Sequence, residues 1–455
     1  MQPGHWLGRP LIAMIAAMSI TATLGALPVP AAADPGSKQR IDQVIVTLNQ
    51  PSGASIEAIN THHGTRTITW LATDPTTYLL QAPSGTALQH LRARLTADSR
   101  VHVAELNFLG RAPEAHPRGI DAWGGTDPSP GPLQPAVGTI RLDPALALSR
   151  GAGITVAILD TGLQLDHPAF EGALAPGGYD FIDGDNWPED SANGLDDDGD
   201  GVIDEALGHG THVAGIVRLV APDARILPIR VLDSDGIGDV FTLVQAIEYA
   251  TLQGATVINL SLGTDVPSEI LSEAVRRASR AGVLVVASAG NDATGAPQFP
   301  AAYHCAIAVT SVDAAGNRSS FANYGPWISV AAPGERIFSA FPTSGYAWWS
   351  GTSMAAPFVA GQAALIRSAG PGLEVREVGA IIGGTAHGPH HGIGGSPVDD
   401  LATDSASSMV DTELGDGLID LTASVEAALS GIIPPSRANR IDGTCTSDGS
   451  SGPSL

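Results

Sequence analysis

Three polar side chains stand in surroundings that invite chemistry: Asp160 closes the aliphatic run "ITVAILD", His209 sits in "GHGTHVAG", and Ser353 lies in "WWSGTSMAAPFVAG". A serine at a helix start commonly serves only as a cap. Capping does not explain why Gly351, Thr352, Ala355, Ala356, Ala360 and Gly361 crowd around Ser353 with so little bulk. A nucleophile that must meet a carbonyl carbon, with its own backbone N–H turned toward the developing oxyanion, does need that clearance. Asp160 in Asp-Thr-Gly also reads as an Asx-turn that ends a strand. His212 follows His209 by three positions and raises a metal pair, but the glutamate of a His-Glu-x-x-His motif is missing, with Gly210 and Thr211 between them.

The elements that must position these residues can be read from periodicity. "ITVAILD", "ILPIRVLD", "ATVINLSLG", "GVLVVAS" and "AIAVTSV" are short, continuously apolar runs separated by helical patterns such as "GDVFTLVQAIEYATLQG" and "VPSEILSEAVRRASRAG". That alternation predicts a doubly wound, mainly parallel sheet covered on both faces, in which chemistry sits beyond the carboxyl ends of the strands. Earlier in the chain, "QVIVTLNQ", "GASIEAINTHHG", "TRTITWLAT", "TTYLLQAP", "TALQHLRARLTADS" and "VHVAELNFLG" follow one another as strand, helix, two strands, helix and strand. This is the order of a small α+β, ferredoxin-like βαββαβ sandwich, a fold too widely shared to name a function. The Pro- and Gly-rich stretch after Arg111 reads as a linker or a processed junction.

The chain has 455 residues, of which 43% are hydrophobic and 15% charged, enough for one large core with smaller units besides. A formal net charge of −24 repels phosphate backbones and anionic lipid surfaces, so nucleic-acid and membrane-surface binding have little electrostatic support. Arg9, the apolar stretch from Leu11 to Leu27, and Ala31, Ala32 and Ala33 form an export-signal pattern with cleavage expected after Ala33. Export would place Cys305 and Cys445 where a disulfide persists; a bridge and two free thiols both remain open at this point.

Between Asp160 and His209 runs "NGLDDDGDGVIDE", in which Asp196, Asp198, Asp200 and Asp204 offer carboxylates and Gly201 supplies a sharp turn. Such a pattern suits a hard cation, calcium above all, although Leu207 stands where an EF-hand has its bidentate acid. The alternative is a solvated acidic loop. His387, His390 and His391 in a Gly-rich stretch read as part of an exposed insertion rather than as ligands.

Taken together and in this order, "ILDTG", "HGTHVAG" and "GTSMAAP" resemble the three signature stretches of the subtilisin-like serine proteases, the subtilases. The resemblance covers roughly residues 118 to 432. It implies a propeptide and linker over 34–117 and a catalytic domain over 118–432, between the signal peptide over 1–33 and a tail over 433–455 whose polar composition predicts disorder. It implies Ser353 as nucleophile, His209 as general base and then acid, and Asp160 as the group that fixes the imidazole. Asn291 in "ASAGND" matches the oxyanion donor. "NLSLG", with Leu260, Ser261, Leu262 and Gly263, matches the edge on which a substrate lies as an added strand. Ala287, Ser288, Ala289 and Gly290 then wall the first side-chain slot, expected to be open, apolar and suited to bulky uncharged side chains.

Many subtilases carry a similar Asp-rich insertion, which supports structural calcium. The protein implied is a secreted, monomeric serine endopeptidase made as a zymogen, acting on peptides or proteins and partnered by its own propeptide. The same triad also permits acyl transfer other than proteolysis, as in an esterase or peptide ligase, and a catalytically silent peptide-binding scaffold is a third possibility. An α/β-hydrolase is disfavoured, because Ala355 replaces the final glycine of its nucleophile elbow.

Overall fold

A computed structural model describes residues 39–49, 55–114, 121–388 and 413–437, together with Ile441 and Cys445. The expected signal segment, His390, His391 and most of the tail lie outside the described residues.

In the small domain, Gln39–Leu48 pairs antiparallel with Thr77–Gln81 on one side and with Val101–Arg111 on the other, while Arg66–Trp70 lies outside Thr77–Gln81. The helices Ile56–His63 and Leu88–Thr96 cover one face. The helical spacing of Leu88, Leu91 and Leu95 buries all three against Val44, Val46, Leu80 and Leu106. The order is the expected βαββαβ. The last strand does not stop at the domain's edge. Its end pairs antiparallel with Ile237–Asp239 of the large domain, matching Leu109 with Asp239, Gly110 with Gly238 and Arg111 with Ile237.

That strand also holds two helices of the large domain by their N-termini. Glu105, which is buried, accepts from the Ser268 hydroxyl and, at 3.0 Å, from the Glu269 amide at the start of Glu269–Arg280. Asn107 accepts from the Phe241 amide at 3.0 Å at the start of Val240–Leu252. Each contact satisfies an N–H that has no partner inside its helix.

The large domain carries a seven-stranded sheet in the spatial order Val330–Pro333, Ala306–Val312, Leu284–Ser288, Val257–Leu260, Thr155–Asp160, Arg225–Arg230 and Tyr179–Asp180. Neighbours pair in parallel throughout. Val156 to Asp160 are all buried, which is why the strand reads as an unbroken apolar run closed by one acid. From Thr155–Asp160 the chain goes to the edge strand Tyr179–Asp180 and back to Arg225–Arg230 on one side, and later to Val257–Leu260 on the other, so the order reverses there and a crevice opens at the Asp160 end.

The helices His209–Val220 and Thr352–Ala369 pack against each other, and their contact depends on a glycine. A Cβ at Gly361 would lie 2.6 Å from the Cβ of Val220. Gly361→Ala is therefore expected to destabilise the fold by roughly 1–3 kcal/mol, as overpacking does, and urea unfolding measures it. An unchanged midpoint would mean that the two helices part without cost.

Cys305 and Cys445 are joined, which settles the pairing that sequence left open and ties Cys445 to the core beside Ala306–Val312. No helix among the described residues is long and apolar enough to cross a membrane.

Candidate active site

Asp160 ends the central strand and is fully buried. Its Oδ1 accepts from the Thr161 amide at 2.8 Å and from Nδ1 of His209 at 2.6 Å. His209 opens its helix, and small neighbours let that helix start descend onto the strand end. A Cβ at Gly210 would lie 2.1 Å from the Gly162 carbonyl oxygen and 3.1 Å from the Asp160 Cβ. Asp190, which sequence did not single out, fastens the two elements. Its buried carboxylate accepts from the Thr211 hydroxyl at 2.6 Å, the Gly208 amide at 3.1 Å and the Thr161 hydroxyl at 3.2 Å.

His212 turns away from this site. Its Nε2 lies 3.1 Å from the carbonyl oxygens of both Ile337 and Ala347, and burial pulls it down to about 3, so it is a neutral core histidine and no metal partner of His209.

Ser353 is buried in the first turn of Thr352–Ala369. Its hydroxyl donates to the Ser261 carbonyl at 3.2 Å, and the Ser261 hydroxyl donates to the Ser353 carbonyl at 3.0 Å. Asn291 is oriented by accepting at 3.0 Å from the Thr352 amide through Oδ1, which leaves its amide group facing the same space as the Ser353 N–H.

That space holds a carboxylate. Oε1 of Glu114 accepts from Asn291 Nδ2 at 2.7 Å and from the Ser353 amide at 3.2 Å, while Oε2 accepts from Nε2 of His209 at 3.0 Å. One carboxyl group thus links Asn291, Ser353 and His209, and it takes the His209 Nε2 while the Ser353 hydroxyl bonds to Ser261. The Glu114 side chain is only 3% exposed. It fits because position 351 is glycine: a Cβ there would lie 1.7 Å from Oε1. Burial opposes a charge on His209, but the carboxylates of Asp160 and Glu114 outweigh it and hold the imidazole up to about 10. Nothing local in "APEAHP" marks Glu114; its role comes from the strand that delivers it.

That strand continues into the site. Arg111 and Gly263 exchange two backbone hydrogen bonds of 2.9 Å, and the Ala112 amide donates to the Gly236 carbonyl at 2.9 Å. Residues 109–112 therefore lie between Ile237–Asp239 and Gly263 as an added strand. Leu260, Ser261, Leu262 and Gly263 are buried along this edge, Ala287 and Ser288 end the adjacent strand, and Ala289 and Gly290 lead on to Asn291. The Gln298 side chain lies against Gly263 and Gly290.

In the acidic loop, Asp196, Asp198 and the buried Asp235 bring carboxylate oxygens within 4.8 Å of one another, and Asp198, Asp200 and Glu205 do the same. Asp204 does not join them. It has φ of 56°, and its carboxylate accepts from the Asn193 amide at 2.9 Å and the Gly194 amide at 3.1 Å, so it shapes the loop while Glu205 and Asp235 take its place. Both carboxylate oxygens of Glu205 are buried without a hydrogen-bond partner. Burial, with Asp235, Asp200 and Asp198 nearby, pushes Glu205 up to about 8. His387 sits 2.6 Å from Asp420, a carboxylate shared with Arg141.

Residues 151–417 match the family model described as the subtilase family, peptidase S8. Thermitase of Thermoactinomyces vulgaris is 45% identical over 241 residues, which is 51% of this chain and 81% of that protein. Subtilisin Savinase of Lederbergia lenta is 40% identical over 230 residues, covering 49% of this chain and 78% of that one. A thermophilic serine proteinase of Bacillus sp. (strain AK1) is 41% identical over 247 residues, covering 52% of this chain and 58% of that one. The crystal structure of fervidolysin from Fervidobacterium pennivorans, described as a keratinolytic enzyme related to subtilisin, superposes with a TM-score of 0.69 at 23% identity, over 89% of this chain and 63% of that one. At that identity the likeness concerns fold.

Proposed function

The chain belongs to the subtilase family and is a subtilisin-like serine endopeptidase, and from that premise we propose that it is exported and held latent by its own N-terminal domain until the Leu109–Arg118 junction is cut. The observation that carries this proposal is the Glu114 carboxylate, seated on the Asn291 amide, the Ser353 N–H and the His209 ring at once. An anion at the convergence of those donors occupies the place where a tetrahedral intermediate would put its negative oxygen.

With Glu114 gone, Ser353 Oγ attacks the scissile carbonyl carbon and passes its proton to His209 Nε2. Asp160 holds the Nδ1–H and stabilises the imidazolium. Asn291 Nδ2 and the Ser353 N–H receive the oxyanion. The imidazolium then gives its proton to the leaving amine, which departs and leaves an acyl group on Ser353. A water, deprotonated by His209, releases the acid and restores the serine. The edge at Gly263 aligns the substrate backbone as it aligns Arg111. Export is supported by the N-terminal signal pattern and by the Cys305–Cys445 bridge.

A fluorophosphonate probe and casein test the proposal, applied to the purified chain and to Ser353→Ala. Labelling and casein cleavage, both lost in the variant, are expected, together with accumulation of uncut precursor in the variant. Labelling without proteolysis would favour other acyl transfer, and no labelling would favour a peptide-binding scaffold.

Asp196, Asp198, Asp200, Glu205 and Asp235 fit a hard cation: all offer carboxylate oxygens, and Glu205 has two buried oxygens without any other partner. Calcium held there would neutralise a crowd of like charges and brace the loop that leads into His209. EDTA is therefore expected to lower the melting temperature, and Glu205→Gln to lower it in calcium and to blunt the EDTA effect. A melting curve indifferent to EDTA removes the cation.

A further inference from the structure

The backbone bonds that dock residues 109–112 also fix which residue comes next to the nucleophile. Arg111 and Gly263 exchange both of their backbone hydrogen bonds, at 2.9 Å each, while the Ala112 amide turns the other way, to the Gly236 carbonyl. In an antiparallel pair such bonded positions recur two residues on, so position 113 falls opposite Ser261. A substrate residue there would donate its N–H to the Ser261 carbonyl. Position 113 is proline and has no N–H to give. The Ser261 carbonyl accepts from the Ser353 hydroxyl instead, at 3.2 Å, which turns the nucleophile away from His209.

The chain then turns at Pro113 and Glu114, both buried, and does not run straight on through the site. Attack needs a carbonyl carbon about 3–3.5 Å from the serine oxygen, with the carbonyl oxygen on the oxyanion donors. Here Asn291 Nδ2 and the Ser353 N–H both donate to Oε1 of Glu114, a side-chain carboxylate that offers the serine no peptide bond to break.

We propose that Pro113 bars a molecule from cutting its own docked strand, so that the junction is cut in trans: a precursor whose strand has let go cleaves a second copy of this chain. This rests on the latency proposed above and supplies the partner that ends it. The freed Ser353 Oγ attacks a junction carbonyl of the second copy and gives its proton to His209, which returns it to the leaving amine. Water, deprotonated by the same histidine, then releases the acyl group. Each copy processed this way frees another site, so maturation feeds itself. A cut within one molecule would instead draw on a fixed local concentration and ignore dilution.

The test follows loss of purified precursor by gel over about a hundredfold range of concentration, for the wild type and for Ser353→Ala and Pro113→Ala. The wild-type half-time is expected to lengthen about tenfold for each tenfold dilution, with a lag that a trace of processed enzyme removes. The Ser353→Ala precursor should stay whole alone and be cut once processed wild type is added. Pro113→Ala restores the N–H facing Ser261, and its half-time should change less than about twofold across the same range. The proposal is overturned by a wild-type half-time that ignores dilution, by a Ser353→Ala precursor that matures alone or resists added enzyme, or by a Pro113→Ala precursor as sensitive to dilution as the wild type. Failure of the wild type, cut by an unrelated protease, to take up a fluorophosphonate would instead bring down the peptidase assignment and this inference with it.

Discussion

Replacing Ser353 by alanine is expected to cut turnover by about a millionfold, and His209→Ala by about as much, a magnitude taken from triad removal in a subtilisin and so from this protein's own family. The double variant should lose little more, because the two side chains act as one device: without the base the hydroxyl is a poor nucleophile, and without the hydroxyl the base has nothing to activate. Asp160→Ala should cost less, about 3 × 10⁴ in the same subtilisin series, since it orients the ring and stabilises its charge without touching the substrate. Turnover of one peptide substrate, per mole of folded protein and with each variant's precursor cut in trans by a separate protease that is then removed, measures all four. Ser353→Ala should stay folded, since the hydroxyl makes one 3.2 Å hydrogen bond to Ser261, a contact contributing about 1 kcal/mol. A folded Ser353→Ala variant retaining more than about a thousandth of wild-type turnover would place the nucleophile elsewhere.

The positions that carry chemistry were legible to the degree that they shape their own neighbourhood. Asp160 interrupts an apolar strand, and His209 and Ser353 open helices whose small residues permit close approach, so each leaves a local trace. Five strands of the sheet followed from the same continuous apolar runs, whereas its two short edge strands, Tyr179–Asp180 and Val330–Pro333, left no such run. Glu114 leaves no trace, because it meets Ser353 across 239 positions, and an acid in a polar linker resembles any other. Asp190 acts through contacts with a glycine and two threonines elsewhere along the chain. In the acidic loop, counting carboxylates chose Asp204, whereas the backbone turned that side chain onto the loop's own amides and brought in Asp235 from the end of a later turn. Spacing along a loop gives which acids are close in sequence, but the fold decides which of them converge. The disulfide is the same lesson at 140 residues' separation.

Glu114→Gln in the full-length chain is expected to hasten loss of latency. The wild-type carboxylate acts twice: it fills the oxyanion site, and it helps keep His209 charged and hence unable to accept a proton. Glutamine can still occupy the space but brings no charge, so one of the two carboxylates that raise His209 is lost while Asp160, the stronger of them, stays. At pH 7 a group that titrates at about 10 is unprotonated in about one molecule in a thousand, which sets a ceiling near a thousandfold on the gain. Because glutamine still competes for the Asn291 and Ser353 donors, a rise of at least about tenfold in the rate of processing is the expected floor.

The pH dependence gives the sign independently. A raised imidazole contributes its grip on Glu114 in full below the ordinary value of 6.5 and loses it as pH rises through about 10. Processing of the wild-type chain should therefore accelerate up to alkaline pH, while the Glu114→Gln profile should level off at a lower pH. Glu114→Ala, which also empties the space, should be faster still. Processing followed by gel and by fluorophosphonate labelling at each pH decides the matter. If both variants mature at the wild-type rate with the wild-type pH midpoint, latency lies in the docked strand and the Glu105 and Asn107 contacts, and the carboxylate at the nucleophile is a passenger.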